Sequence, residues 1–498
     1  MQDRLAGPTI SSSSSTWLSP SVWSDRGFLD GWSALNSHAD VIEPATGTVL
    51  GRVGLASPED IHRAASRARQ AQSDWASMPP DERASTLRRA AQVAEDNRNE
   101  IVDWLMRESG SVRAKAEFEV AVTIKSLWES SAMPSQASGL MLPTAAGRLN
   151  MARRRPLGVI GVISPFNFPL YLAMRAVAPA LAVGNAVVLK PDPRTSVSGG
   201  FTIARCFEAA GLPAGLLHVL PGGRDAGEAL CKDPNVAMIQ FTGSTAAGRS
   251  VGELAGKHLK KLSLELGGKN SLIVLDDADI GLAVKNACFS VYLHQGQICM
   301  SAGRILVQRS IVDEFSHQLA AKARELPVGN PTTEQVALGP LINQAQVDHV
   351  NTIVQESIAQ GAKVVTGGFA QELFYQPTVL TGVSRSMSAF KEEIFGPVAV
   401  VTPFDSDDDA VTLANDTEFG LSAAVITTSI DRAIAMGEQL RVGLLHINDQ
   451  TVNDEVVNPF GGVGISGNGT SIGGPANWEE FTHWQWMTIK GTPPPYPY

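Results

Sequence analysis

The chain has 498 residues with 44% apolar and 18% charged side chains, enough for two or three cores and ordinary for a soluble globular enzyme. Its formal net charge of −10 excludes nucleic acid and anionic membrane as main partners, because both demand basic patches. Four cysteines, Cys206, Cys231, Cys288 and Cys299, form neither a disulfide framework nor a CxxC metal pair, which fits a reducing compartment and no metal site.

The first stretch, MQDRLAGPTISSSSSTWLSP, lacks a basic start followed by an apolar core. It reads as a flexible leader over residues 1–19 rather than a secretory signal. Ser57-Pro58-Glu59-Asp60 is a helix start, with a serine cap, proline at the first position and acids in the first turn. A second helix follows Pro79-Pro80-Asp81 and a third covers about 114–131, so residues 57–130 read as a helical layer away from the chemistry. The most apolar stretch, 176–189, is broken by Pro179, Gly184 and Asn185. It falls short of the ~20 residues that cross a bilayer, and a cytoplasmic location follows.

From Arg155 the texture changes. PLGVIGVISP and AVVLKP are short Val- and Ile-rich runs that predict buried parallel strands, followed by LLHVLPGG and VAMIQFTG. Helical segments of ~10–15 residues alternate with them, which predicts a doubly wound α/β sheet with ligands at the carboxyl ends of its strands. Pro165 to Asn167, Lys190 and Gly243-Ser244 fall at those ends. A second α/β series begins near Glu265 with the strand NSLIVLD, the Cys299 loop and RILVQ. It continues through KVVTGG, PTVLTGV, the EEIFGPV turn, VAVVTPF and a helix ending in ANDTEFGLSAAV. The last segment, EEFTHWQWMTIKG, alternates as a strand does and, with Trp478, Trp484 and Trp486, is a candidate subunit contact.

Two stretches carry nucleophile chemistry: QGQICMSAG around Cys299 and LSLELGGKN around Glu265. A catalytic thiol needs access, a proton acceptor and donors for the oxyanion formed when it attacks a carbonyl. Glu265 is the candidate acceptor, for the thiol or for a hydrolytic water, and Asn167 with the Cys299 N–H are candidate donors. Gly243 to Gly248 opens a helix whose N–H groups suit a pyrophosphate, and Lys190 suits ribose hydroxyls. Each residue alone has an ordinary reading as core thiol, ion-paired carboxylate, turn cap or solvated lysine.

Together they form a pattern. LELGGK with Glu265, GQICMSAGR with Cys299, PFNFP with Asn167, LKP with Lys190, FTGS with Gly243 and Ser244, and KEEIFGPV with Glu393 resemble the aldehyde dehydrogenase superfamily, in its order and over about 155–467. The resemblance implies an NAD(P)-binding domain over 20–138 and 155–264 and a catalytic domain over 265–467. It also implies a small β oligomerisation hairpin over 139–154 and 476–498 and a homodimer or homotetramer. It implies NAD- or NADP-dependent oxidation of an aldehyde by the Cys299 thiolate, with Asn167 on the oxyanion and Glu265 on the water. By the same carry-over Glu393 and Phe395 position the nicotinamide ribose and Lys190 the adenine ribose, with Pro165, Phe166 and Gly267 as further cofactor-binding residues.

Two positions depart from the family's pattern. The residue three after the ribose lysine, commonly a glutamate that repels a 2′-phosphate, is Pro193, and Arg194 follows, so tolerance of NADP is expected. A proton-relay lysine of many relatives is Ala176, beside Arg175. The segments HINDQTVNDEVVNPFGGVGISGNG, MRAVAPAL and KPDPRTSVSGG resemble the branch that oxidises benzaldehyde and vanillin. Phe168, Tyr171, Ile298 and Phe460 are candidate walls of an aryl slot, with Asn453 near its mouth. The alternatives are an aliphatic aldehyde or semialdehyde substrate, a coenzyme-A-acylating enzyme, disfavoured by Glu265, and a non-catalytic binding protein on the same scaffold.

Overall fold

The computed structural model describes residues 16–497. The serine run of the expected leader lies outside the described residues. For residues 16–19 the leader expectation is corrected. The Trp17 and Leu18 N–H groups donate to the two Glu100 carboxylate oxygens at 2.9 and 2.7 Å, and the Leu18 side chain is buried. A charged acceptor that takes two backbone donors is enough to dock this segment against the helical layer.

Two seven-stranded sheets organise the chain. In the first, Lys261–Glu265, Val236–Thr242, Val159–Ile163, Ala186–Lys190 and Leu217–Val219 run parallel in that order. Arg26–Phe28 and Trp32–Ala34 extend one edge antiparallel. Val159–Ile163 and Ala186–Lys190 are buried along their whole length, as expected where helices cover both faces. The second sheet orders Lys363–Thr366, Thr378–Thr381, Val398–Phe404, Arg304–Gln308, Ser271–Val274, Ser422–Ile426 and Leu444–Ile447, all parallel except the first pair. A third, three-stranded sheet joins Gly139–Leu142 and Arg148–Pro156 to Thr482–Lys490.

The helical layer contains Pro58–Ser77, Pro80–Asp96 and Arg113–Ala132, and a further helix, Arg98–Ser109, that the sequence reading did not separate. Ser57 and Asp60 form a full capping box at the first of them. The indole N–H of Trp75 and the side-chain amide of Gln72 then tie that helix to Leu181 and Gly184 at 2.8 Å each. The segment read as a helix ending in GLSAAV is also corrected: the helix is Asp407–Ala414, and Ser422–Ile426 is a buried strand between two parallel neighbours. Small residues suit a strand covered on both faces as well as they suit a helix, and tertiary pairing decides.

Candidate active site

The Cys299 loop is built on left-handed backbone. His294, Gln295 and Gly296 have φ of 49°, 57° and 71°, an unusual run for two residues that carry a Cβ. Side-chain amides hold it in place. Gln295 donates to Gly110 and Pro340 carbonyls at 3.0 and 2.8 Å, and Gln297 accepts the Ile342 N–H at 3.0 Å. Asn270 donates to the Cys299 and Ser301 carbonyls, both at 2.8 Å. A Cβ on Gly268 would stand 2.4 Å from the Cys299 carbonyl oxygen, so the LELGG turn must be bare where the loop crosses it.

Glu265 ends the strand Lys261–Glu265, and Gly267 lies so close to Glu393 that a Cβ there would meet its Oε2 at 2.1 Å. Glu393 accepts the Gly268 N–H at 3.1 Å. Asn167 sits before the helix Pro169–Ala182, its amide donating to the Gln297 carbonyl at 2.8 Å and its own carbonyl accepting from Lys115 at 2.6 Å. Lys115 is buried, ion-paired to Glu119 at 2.5 Å and 4.0 Å from the Phe168 ring centroid. Glu119 in turn accepts the Leu170 and Tyr171 N–H groups. Removing one member of such a buried pair typically costs about 3–5 kcal/mol, so the pair fixes the Asn167 turn.

Two cavities flank these residues, of about 640 and 1080 Å³. They share Asn167, Leu172, Thr242, Glu265 and Cys299, and so meet at the thiol and the carboxyl. Pro165, Phe166, Lys190, Arg194, Gly243, Ser244, Gly267, Glu393 and Phe395 all line the larger one. Phe168, Tyr171, Ile298, Asn453 and Phe460 all line the smaller. In the larger, Ser244 caps the helix Thr245–Lys257, and Phe395 has φ of 51° and packs edge-on to Phe166 at 5.9 Å. Lys190 donates to the Pro191 and Gly222 carbonyls.

Burial sets the resting protonation. It pushes the Cys299 thiol up to about 12, helped by the negative charges of Glu393 and Glu265 and opposed by Arg175. It raises the Glu265 carboxyl well above the usual carboxylate range, and neither Glu265 oxygen has a hydrogen-bond partner. Glu393 is pushed to about 7 by the same cause, offset by the Gly268 N–H and Lys269. The Cys299 thiol is therefore neutral at rest.

Three features escaped the sequence reading. The helix Arg113–Ala132 is not remote from the chemistry: Lys115, Phe118 and Val122, at helical spacing, line the smaller cavity. Their common face was legible; its destination was not. Asp192 lines the larger cavity and takes Arg194 in a bidentate pair at 2.8 and 2.7 Å, so the expected free guanidinium is engaged and a carboxylate remains near Lys190. Gln346 and His349 donate to the Phe395 and Glu393 carbonyls at 2.9 and 3.0 Å, holding the turn that carries both.

A sequence model described as "Aldehyde dehydrogenase family" matches residues 32–487. A vanillin dehydrogenase of Amycolatopsis sp. is 53% identical over 97% of this chain and 100% of its own length. A benzaldehyde dehydrogenase [NAD(+)] of Pseudomonas putida is 46% identical over 96% and 98%. Among solved structures, an E. coli NADP-dependent enzyme superposes with a TM-score of 0.92 at 33% identity, over 94% of this chain and 99% of that one. Betaine aldehyde dehydrogenase of Staphylococcus aureus in complex with NAD+ gives 0.91 at 28%, over 95% and 96%. With a thiol and a carboxyl at the meeting of two cavities and these matches along nearly its whole length, the chain belongs to the aldehyde dehydrogenase family.

Proposed function

We propose that the chain oxidises an aromatic aldehyde to its carboxylic acid through Cys299, with NAD or NADP as the oxidant. The observation that carries this reading is the junction itself: a largely apolar slot and a larger polar-ended cavity open on the same thiol. The residues of the larger cavity fit a dinucleotide, with a capped helix N-terminus for the pyrophosphate, Lys190 for a ribose and Glu393 in the cradle left open by Gly267. Bound there, the nicotinamide accepts the hydride that the oxidation releases.

In the slot, the Cys299 sulfur gives its proton to solvent water in the open cavity and, as thiolate, attacks the carbonyl carbon. The oxyanion is held by the Asn167 amide, which has one hydrogen left beyond its bond to Gln297, and by the Cys299 N–H. Loss of hydride leaves a thioester on Cys299. Glu265, with both oxygens free of protein partners, takes a proton from the attacking water and the thioester opens to the acid and the thiol. A base at this place favours hydrolysis over transfer to coenzyme A. The two buried cations of the slot, Lys115 and Arg175, are already paired to Glu119 at 2.5 Å and to Asp454 at 3.0 Å, which disfavours an anionic semialdehyde.

NAD(P)H absorbance with benzaldehyde, vanillin, hexanal and succinic semialdehyde tests the assignment. The aromatic aldehydes are expected to lead in kcat/KM, and hexanal far ahead rejects them. Because Asp192 and Arg194 neutralise one another, a 2′-phosphate meets no uncompensated charge. NADP is expected to serve, and an NAD preference above about a thousandfold, roughly 4 kcal/mol, would reject that. The enzyme acts as a homodimer or homotetramer in the cytoplasm in this reading. Leu140, Met141 and Trp486, 57, 65 and 71% exposed on the three-stranded sheet, support a second copy as the partner, and light scattering at known concentration tests it. Among the described residues no helix is long and apolar enough to cross a membrane.

A further inference from the structure

One cluster on the slot wall brings a cation, a carboxylate and a phenol together. Arg175, on the helix Pro169–Ala182, is 5% exposed and its guanidinium stacks 4.1 Å from the Phe460 ring centroid. It donates to Asp454 Oδ2 at 3.0 Å and to the Ile472 carbonyl at 3.4 Å. One helical turn away, Tyr171 is 5% exposed, with its ring 5.6 Å from the same guanidinium and its hydroxyl beside Asp454. Among the described residues the Tyr171 hydroxyl has Asp454 as its neighbour and Asp454 uses Oδ2 toward Arg175, and both residues line the slot. A charged acceptor and a hydroxyl left open in an apolar cavity carry a desolvation cost unless a ligand group completes them.

We propose that Tyr171, Asp454 and Arg175 form a subsite for a hydroxyl group on the substrate ring, so that the substrate class is phenolic aldehydes. The ring lies against Phe460 and Phe168 while its hydroxyl donates to Asp454 Oδ1 and accepts from Tyr171. Arg175, paired to Asp454 at 3.0 Å, fixes the orientation of that carboxylate. The subsite acts on recognition; it makes and breaks no covalent bond. Arg175 is the positioning residue here, and Asp454 and Tyr171 are the specificity-determining ones. The proposal rests on the aromatic reading given above.

The test compares kcat/KM with NAD for benzaldehyde, 3- and 4-hydroxybenzaldehyde, their O-methyl ethers and hexanal, using the full chain and the variants Tyr171→Phe and Asp454→Asn. In the unmodified chain at least one hydroxybenzaldehyde is expected to exceed both benzaldehyde and its own methyl ether, since methylation removes the donated proton. Each variant is expected to lower the hydroxybenzaldehyde-to-benzaldehyde ratio by roughly 10- to 100-fold, as when a charged acceptor or its neighbour is lost. Ratios that stay within about threefold in both variants, with no penalty for the ethers, overturn the subsite and leave the aromatic reading standing. Hexanal ahead of every aromatic overturns both. Should Asp454→Asn fail to fold, because Arg175 is left buried without its anion, the ethers on the unmodified chain and Tyr171→Phe decide alone.

Discussion

The two cavities are built differently. The larger is shaped by three backbone features: the bare turn at Gly267, the helix N-terminus after Gly243, and the left-handed turn at Phe395 held by Gln346 and His349. The smaller is walled by side chains from the helices Arg113–Ala132, Pro169–Ala182 and Ile280–Tyr292 and from the segment 450–457. A ligand that never changes suits a backbone mould, in which every contact depends on conformation. A ligand that varies suits a wall of exchangeable side chains. Substitutions at the junction should therefore cost most, those in the backbone mould next, and those on the slot wall least.

Cys299→Ala removes the proposed nucleophile at the meeting of the cavities and is expected to lower kcat by about 10⁴-fold or more, while cofactor binding followed by fluorescence persists. Loss of binding together with activity would show that the loop, not the thiol, had been damaged. Asn167→Ala removes one oxyanion donor and should lower kcat by roughly 10²–10³-fold. Gly267→Ala drives a methyl group to 2.1 Å from Glu393 Oε2, where the buried carboxyl must shift. A loss of about 10² in kcat/KM for the cofactor is expected, comparable to other misplacements near 1 Å. An unaltered value would mean that the mould is softer than its geometry implies.

The resting thiol gives a pH test. With its pKa raised to about 12, Cys299 is neutral below that value and its thiolate fraction grows tenfold per pH unit. Alkylation of the cofactor-free protein by iodoacetamide should accordingly climb about tenfold per unit from roughly pH 6 to 9 without a plateau. A plateau below about pH 8 would reveal a stabilised thiolate instead. The smallest effect belongs to the wall. Phe118, 49% exposed where the helix Arg113–Ala132 borders the slot, should on truncation to alanine raise the aldehyde KM by only ~3- to 10-fold, the loss of a partly buried ring.

The same contrast explains what could be read from the chain alone. Backbone turns demand particular residues at fixed offsets, so QGQICMSAG, LELGGKN and PFNFP announced themselves, and the doubly wound sheet followed from its buried strands. The slot wall carried no such signature. Lys115 bonds to a carbonyl 52 residues away and Arg175 to a carboxylate 279 residues away, and no local pattern encodes either partner. Asp192 stood in plain view in KPDPRT, but its pairing with Arg194 depends on the turn they share. Residues 16–19 resemble a leader until Glu100 is brought beside them.

Glu265 carries a consequence for stability. A carboxyl 4% exposed, with neither oxygen bonded to another described residue, is expected to destabilise the folded chain by about 1–3 kcal/mol. The fold would be better off with an apolar side chain there. Glu265→Leu is thus expected to make a more heat-resistant protein, with Tm raised by a few degrees, that no longer releases its acid product. In the proposed reading, heat tolerance and turnover pull in opposite directions at this one residue.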